Sequence, residues 1–145
     1  MQASQTGKDL IKKYEGLRLK AYVCPGGRWT IGYGQTGPDV YEGLEIDEQT
    51  ANNLLWKALP GYEDAINELV KVPLNQNQFD SLVSFTYNIG IEAFKKSTLL
   101  KMINSGDMVG ASYQFLIWIY SGHKILRGLV ERRKAEKDLF TKKGS

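Results

Sequence analysis

Three side chains able to take part in hydrolysis fall within a short stretch near the amino terminus: Glu15, Cys24 and Thr30. A carboxylic acid can hand a proton to a leaving oxygen, while a thiol and a hydroxyl can hold a water molecule or attack in its place. Leu10, Ile11 and Tyr14 recur at helical spacing through positions 4 to 15, with Ser4 or Thr6 available as a cap and Gly16 as a stop, so Glu15 belongs to the last turn of a helix. A carboxylate there meets the negative end of the helix dipole, which disfavours its ionised form and suits a general acid. Taken alone, the position also fits a solvent-exposed glutamate that happens to precede a glycine.

The next residues must position the other two groups. Arg18-Leu19-Lys20-Ala21-Tyr22-Val23 and Trp29-Thr30-Ile31-Gly32-Tyr33 alternate polar with apolar or aromatic side chains on either side of Pro25-Gly26-Gly27, which predicts two strands joined by a tight connection. Cys24 then lies at the turn and Thr30 early in the second strand. Strands paired in this way bring such residues within a few ångströms of each other, close enough to share one water.

The spacing Glu15-x8-Cys24-x5-Thr30, set in Glu-Gly-Leu-Arg-Leu-Lys-Ala-Tyr and Trp-Thr-Ile-Gly-Tyr-Gly, resembles the catalytic region of bacteriophage-type lysozymes, the endolysins of glycoside hydrolase family 24. Phe85-Thr86-Tyr87-Asn88-Ile89-Gly90, Ala93-Phe94 and Ser97-Thr98-Leu99-Leu100 resemble that family's central helix and the turn after it. Gly128-Leu129-Val130-Glu131-Arg132-Arg133-Lys134-Ala135-Glu136 resembles its C-terminal signature. The resemblance implies an α+β, lysozyme-like fold, mostly helical, with a small antiparallel sheet beside the active-site cleft. It implies a single domain over 1–145: a small lobe at about 15–50, a connecting helix at about 47–70, and a helical lobe at about 71–145 packed with the N-terminal helix.

The activity implied is hydrolysis of the β-1,4 bond between N-acetylmuramic acid and N-acetylglucosamine in peptidoglycan, with Glu15 protonating the leaving oxygen and Thr30 helping to position water on the far side of the ring. The family's second catalytic residue is usually Asp, and here it is Cys24. Glycosidases ordinarily use two carboxyl groups whose separation sets the stereochemical outcome, so three roles stay open for the thiol: a thiolate that orients water, a nucleophile that forms a glycosyl intermediate, or a small neutral spacer. The water-orienting role keeps the family's division of labour. By the same resemblance Tyr87 and Ser97, then Thr36 and Ser112, are candidates for glycan contacts, although Ser97 also fits a simple helix cap. Gln35 stands where many relatives have His, keeping a hydrogen-bonding side chain but removing a titratable one.

The remaining pattern fills in the scaffold. Tyr41-Glu42-Gly43 suggests a third short strand before Asp47 caps a long helix to about Val70, whose stripe of Ala51, Leu54, Leu55, Ala58, Tyr62, Ile66 and Leu69 crosses Pro60-Gly61, where a kink or break and a hinge between lobes are expected. Asn75 caps a further helix that supplies Phe79, Leu82, Val83 and Phe85 to the core, and Phe115-Leu116-Ile117-Trp118 reads as a buried run in a later helix.

Charge is uneven: eight basic and three acidic side chains lie between Lys124 and Ser145, a balance of +5, against −2 for the preceding residues. Such a tail would be drawn to anionic envelope surfaces through residues 124–143, and Arg132 or Arg133 is a candidate to turn inward onto an active-site carboxylate. No reading helix or stacking platform for nucleic acid is evident. The single Cys rules out an intramolecular disulfide, and the distant pair Cys24 and His123 lacks companion ligands, so neither a metal nor another cofactor is expected. With no run of about 18 apolar residues, the sequence resembles endolysins that accumulate in the host cytoplasm as monomers until a phage holin opens the membrane and gives access to the cell wall.

Overall fold

The computed structural model describes residues 1–143. Seven helices, α1 (Gln5–Glu15), α2 (Glu48–Leu69), α3 (Gln76–Ile89), α4 (Ile91–Lys95), α5 (Thr98–Asn104), α6 (Met108–Gln114) and α7 (Arg127–Thr141), accompany two antiparallel hairpins. The first hairpin pairs β1 (Arg18–Val23) with β2 (Trp29–Gly32), the second β3 (Tyr120–Ser121) with β4 (Lys124–Ile125). This is the expected α+β arrangement, mostly helical with a small sheet.

The core is built around α3, whose residues 79–86 are all buried and which packs on α1, α2 and α7. Asn75 caps it by accepting from the Gln78 backbone N–H, while the Gln78 side chain accepts from the Asn75 N–H, so two otherwise orphaned donors are satisfied reciprocally. Phe85 meets Phe115 and Trp118 edge-on at 5.0 and 5.7 Å between ring centroids, an arrangement favoured by the aromatic quadrupole.

Three local expectations are corrected. Helix α2 runs unbroken through Pro60: proline removes one ladder donor, but Pro60 and Gly61 lie on the exposed face while Ala51, Leu55, Leu59 and Ile66 keep the buried stripe continuous. Tyr41-Glu42-Gly43 forms a turn instead of a strand, and the third contact with β1 comes slightly later, as a single bridge from Lys20 to Glu45 flanked by Ala21 N–H to Leu44 O and Ile46 N–H to Leu19 O, both 2.9 Å. The aromatic run after α6 tightens into a 3-10 turn at Phe115–Ile117, in which only Phe115 is fully buried and Ile117 is 57% exposed. The chain then turns into the β3–β4 hairpin at Gly122, whose φ of 62° suits glycine.

Candidate active site

Helix α1 is fixed at its start by another helix. Ser4, its N-cap, receives no bond from its own side chain; instead Asp80 of α3 accepts from the Ser4 N–H at 2.8 Å and from the Ser4 hydroxyl. Gly7 permits this docking, since a Cβ there would lie 3.0 Å from Asp80 side-chain atoms. One residue earlier, the Ala3 N–H donates to buried Glu63 of α2 at 2.6 Å. With its first turn bound to the helical core, α1 delivers Glu15 at its far end to α7.

There Glu15 meets Arg132. Nη1 of Arg132 donates to Oε2 of Glu15 at 2.6 Å, Nη2 donates to the Ser84 carbonyl at 2.9 Å, and Nε donates to Glu136 Oε2 at 3.2 Å. Glu136 is fully buried and also accepts from Ser84 Oγ at 2.6 Å and Arg133 Nη1 at 2.8 Å. Arg133 in turn donates to the Trp118 carbonyl at 2.8 Å and to Oδ1 of Asn88. Burial pulls the Arg133 guanidinium below its ordinary value, with Glu136 opposing that shift. Both arginines of the C-terminal signature therefore turn inward, where the sequence had suggested one, and neither adds to a cationic surface.

The two oxygens of Glu15 are not equivalent. Oε2 is held by Arg132, whereas Oε1 lies 3.0 Å from the place a Cβ on Gly34 would occupy. Gly34 has φ +85° and no side chain, so the free oxygen stays open toward the hairpin. The cleft beside Glu15, of about 450 Å³, is bounded by Lys13, Asn88, Arg127, Leu129 and Arg132 among others.

Cys24 and Thr30 come together at the other end of the same hairpin. Thr30 pairs with Tyr22, and the turn closes through Cys24 N–H to Arg28 O at 2.9 Å and Gly27 N–H to Cys24 O at 2.8 Å. The Thr30 hydroxyl and then the Arg28 backbone, as hydrogen-bond partners, draw the Cys24 thiol below its ordinary value, favouring the thiolate. Thr30 is 2% exposed and its hydroxyl donates to the Arg28 carbonyl at 3.0 Å, which holds it on the turn that carries the thiol.

Tyr87 is half-buried and ties the hairpin to α3: its hydroxyl donates to the Tyr33 carbonyl at 2.6 Å and accepts from Gln35 Nε2. Burial, and then the charge of Glu15, push the phenol up, so it remains a neutral donor. Gln35 thus fills its place with a bond that needs no titration. Thr36, the next residue, is exposed. Ser97 and Ser112 are corrected as glycan contacts, because they are 4% and 2% exposed and their hydroxyls donate to Phe94 O at 2.7 Å and Val109 O at 2.6 Å. Ser97 also accepts from the Leu100 N–H as the cap of α5. Sequence reasoning gave no role to Asn88, Gly34 or the Asp80 cap; the first two were visible only as members of the matched blocks, and Asp80 had no local signal.

The family model described as phage lysozyme matches residues 12–136. The endolysin of Acyrthosiphon pisum secondary endosymbiont phage 1 is 46% identical over 144 residues, covering 97% of this chain and 98% of that protein. The endolysin of Bacillus phage B103 is 46% identical over 142 residues, covering 97% of this chain, which spans only 54% of that longer relative. Among solved structures, the muramidase domain of SpmX from Asticaccaulis excentricus superposes with a TM-score of 0.92 at 42% identity, covering 98% of this chain and 99% of that one. The family model matches over most of the chain and a relative 46% identical is matched over nearly its full length, so the chain belongs to the phage lysozyme family.

Proposed function

We propose that this protein is an endo-acting N-acetylmuramidase that cleaves the β-1,4 bond between N-acetylmuramic acid and N-acetylglucosamine of peptidoglycan in phage-driven lysis. The observation that carries the reading is the asymmetry of Glu15: Arg132 holds Oε2, and Gly34 leaves Oε1 free to protonate a glycosidic oxygen. Electrons of the C–O bond then leave with the protonated oxygen, and charge builds on the ring carbon. Water oriented by Cys24 and Thr30 adds to that carbon and loses its proton toward the thiolate. The lowered thiol supports this role for Cys24, because more of it is available as a base near neutral pH.

Tyr87 keeps the hairpin in register with the acid, and Thr36 remains a candidate contact at the exposed end. In this reading the enzyme acts as a monomer on glycan strands, waiting in the host cytoplasm until a holin opens the membrane. The exposed cations Lys124, Arg127, Lys134, Lys142 and Lys143 offer transient attraction to anionic envelope surfaces. No helix among the described residues is long and apolar enough to cross a membrane.

The test is peptidoglycan digestion by wild type and Glu15→Gln, with analysis of new reducing ends. Reducing muramic ends from the wild type alone support the reading. Equal lysis by both without new reducing ends would refute it and move the activity to the basic tail.

A further inference from the structure

Arg132 meets the acid with one nitrogen and is held in place by the other two. Nε donates to Glu136 Oε2 at 3.2 Å and Nη2 to the Ser84 carbonyl at 2.9 Å, which leaves Nη1 aimed at Glu15 Oε2 at 2.6 Å. A guanidinium is planar, so fixing two of its nitrogens fixes the direction of the third. We propose that Glu136, fully buried and away from the cleft, is a positioning residue for the acid: acting through Arg132, it aims the guanidinium at Glu15 and offsets the charge presented there. The proposal rests on the muramidase reading and names what governs the proton of its acid.

The charge matters as much as the aim. Among the described residues, Glu136 and Glu15 are the carboxylates paired with the two buried arginines. With Glu136 ionised, those arginines present one net positive charge to Glu15; with Glu136 neutral they would present two. An added cation favours the ionised carboxylate, whereas a general acid must keep its proton until the leaving oxygen arrives. The coupling spans the network: burial lowers the Arg133 guanidinium, and Glu136 and then Glu15 oppose that shift. Other groups near Glu15 supply no second anion. Burial, and then the charge of Glu15, push up the phenols of Tyr87 on α3 and Tyr62 on α2, so both stay neutral. Lys13 and Arg127 at the cleft are cations, and Gln35 on the hairpin is uncharged.

A purely structural role for Glu136 is separable from this one, because α3 bonds it twice. Ser84 Oγ donates to its carboxylate at 2.6 Å, while Ser81 Oγ, one turn earlier and equally buried, donates to its backbone carbonyl at 2.6 Å. Loss of either hydroxyl loosens α3 on α7. Ser81→Ala, however, touches neither the Glu136 carboxylate nor a guanidinium, so it reports destabilisation without a change in the charge network.

The test compares Glu136→Gln, Arg133→Met and Ser81→Ala with the wild type. Each is followed by NMR titration of the isotope-labelled Glu15 carboxyl and by the pH profile of kcat on peptidoglycan. Glu136→Gln leaves the cations uncompensated, so the carboxyl midpoint and the alkaline limb of kcat should both fall by about one pH unit. Arg133→Met leaves Glu136 facing Arg132 alone, so both should move the opposite way, and this variant carries the test if Glu136→Gln does not fold. Ser81→Ala should lower Tm and leave both readouts in place. Unmoved midpoints in the folded charge variants, or an equal displacement in Ser81→Ala, would overturn the proposal while an active wild type keeps the muramidase reading. Opposite displacements in a wild type that releases no reducing ends would refute the muramidase reading and leave the charge coupling standing.

Discussion

Glu136→Gln should cost far more stability than any other single change in the charge network, although the residue touches no cleft. Glu15, Arg132, Glu136 and Arg133 form an alternating set of two acids and two bases, in which Glu136 is fully buried and the arginines are 3% and 1% exposed. Glu136 accepts three side-chain bonds, from Arg132 Nε, Arg133 Nη1 and Ser84 Oγ. A glutamine in its place keeps one acceptor oxygen but leaves two buried guanidinium groups with a single remaining carboxylate, Glu15. Removing one partner of a buried ion pair typically costs about 3–5 kcal/mol. That is a large part of the roughly 5–15 kcal/mol that holds a domain together, and it corresponds to a fall in Tm of roughly 10 °C or more at this chain length. Urea unfolding followed by far-ultraviolet circular dichroism measures it directly. Adding Arg133→Met to the same background should recover part of the loss, because one uncompensated cation is removed with its carboxylate, giving a coupling of about 1 kcal/mol or more. A loss below about 1 kcal/mol for Glu136→Gln, or strict additivity with Arg133→Met, would refute the view that Glu136 neutralises both arginines.

The thiol offers a chemical readout. Alkylation of Cys24 should titrate below the ordinary thiol range, and Thr30→Val should move the midpoint upward, since the hydroxyl bond favours the thiolate; an unchanged midpoint would remove that role from Thr30. Cys24→Asp should retain peptidoglycan hydrolysis and Cys24→Ser should lose most of it, whereas a fully active Cys24→Ser would eliminate the thiolate base. Gly34→Ala places a methyl group against Glu15 Oε1 in a backbone conformation that costs about 1–3 kcal/mol for other residues, so both thermal stability and kcat should fall, and wild-type kcat would show that Oε1 is not the working oxygen. Asp80→Ala strips the cap from α1 and should destabilise the protein by about 1–2 kcal/mol, measured by denaturant titration, while a neutral result would mean that water replaces the carboxylate.

The local devices were legible in the sequence because they act over a few residues. Gly16 ends α1, Asp47 and Asn75 cap α2 and α3, and Pro25-Gly26-Gly27 turns the first hairpin, each through geometry set by the residue itself. Contacts across the chain were legible only where a family signature carried them. Arg132 onto Glu15 spans 117 positions, and nothing local distinguishes Arg132 from its neighbours Arg133 and Lys134. At Glu15 only the helix dipole is legible locally, whereas the opposing cation of Arg132 arrives from the far end of the chain. Ser97 and Ser112 misled because a hydroxyl that caps a helix and one that meets a sugar share a residue type, and only burial separates them. Tyr120 and Ile125 pair across two-residue strands, too short for alternation to be recognised before the fold is known.

The bonds that join Tyr87 to Tyr33 and Gln35 anchor one end of the first hairpin, next to Gly34 and the acid. That end lies beside the open oxygen of Glu15, while Cys24 sits at the opposite tip, beyond the buried Thr30 and Ile31. At about 3.3 Å per residue, the four or so residues between that end and the tip span roughly 13 Å. In the proposed reaction the acid and the water would therefore be positioned from opposite ends of one hairpin, so a change at either end should be felt by only one of them.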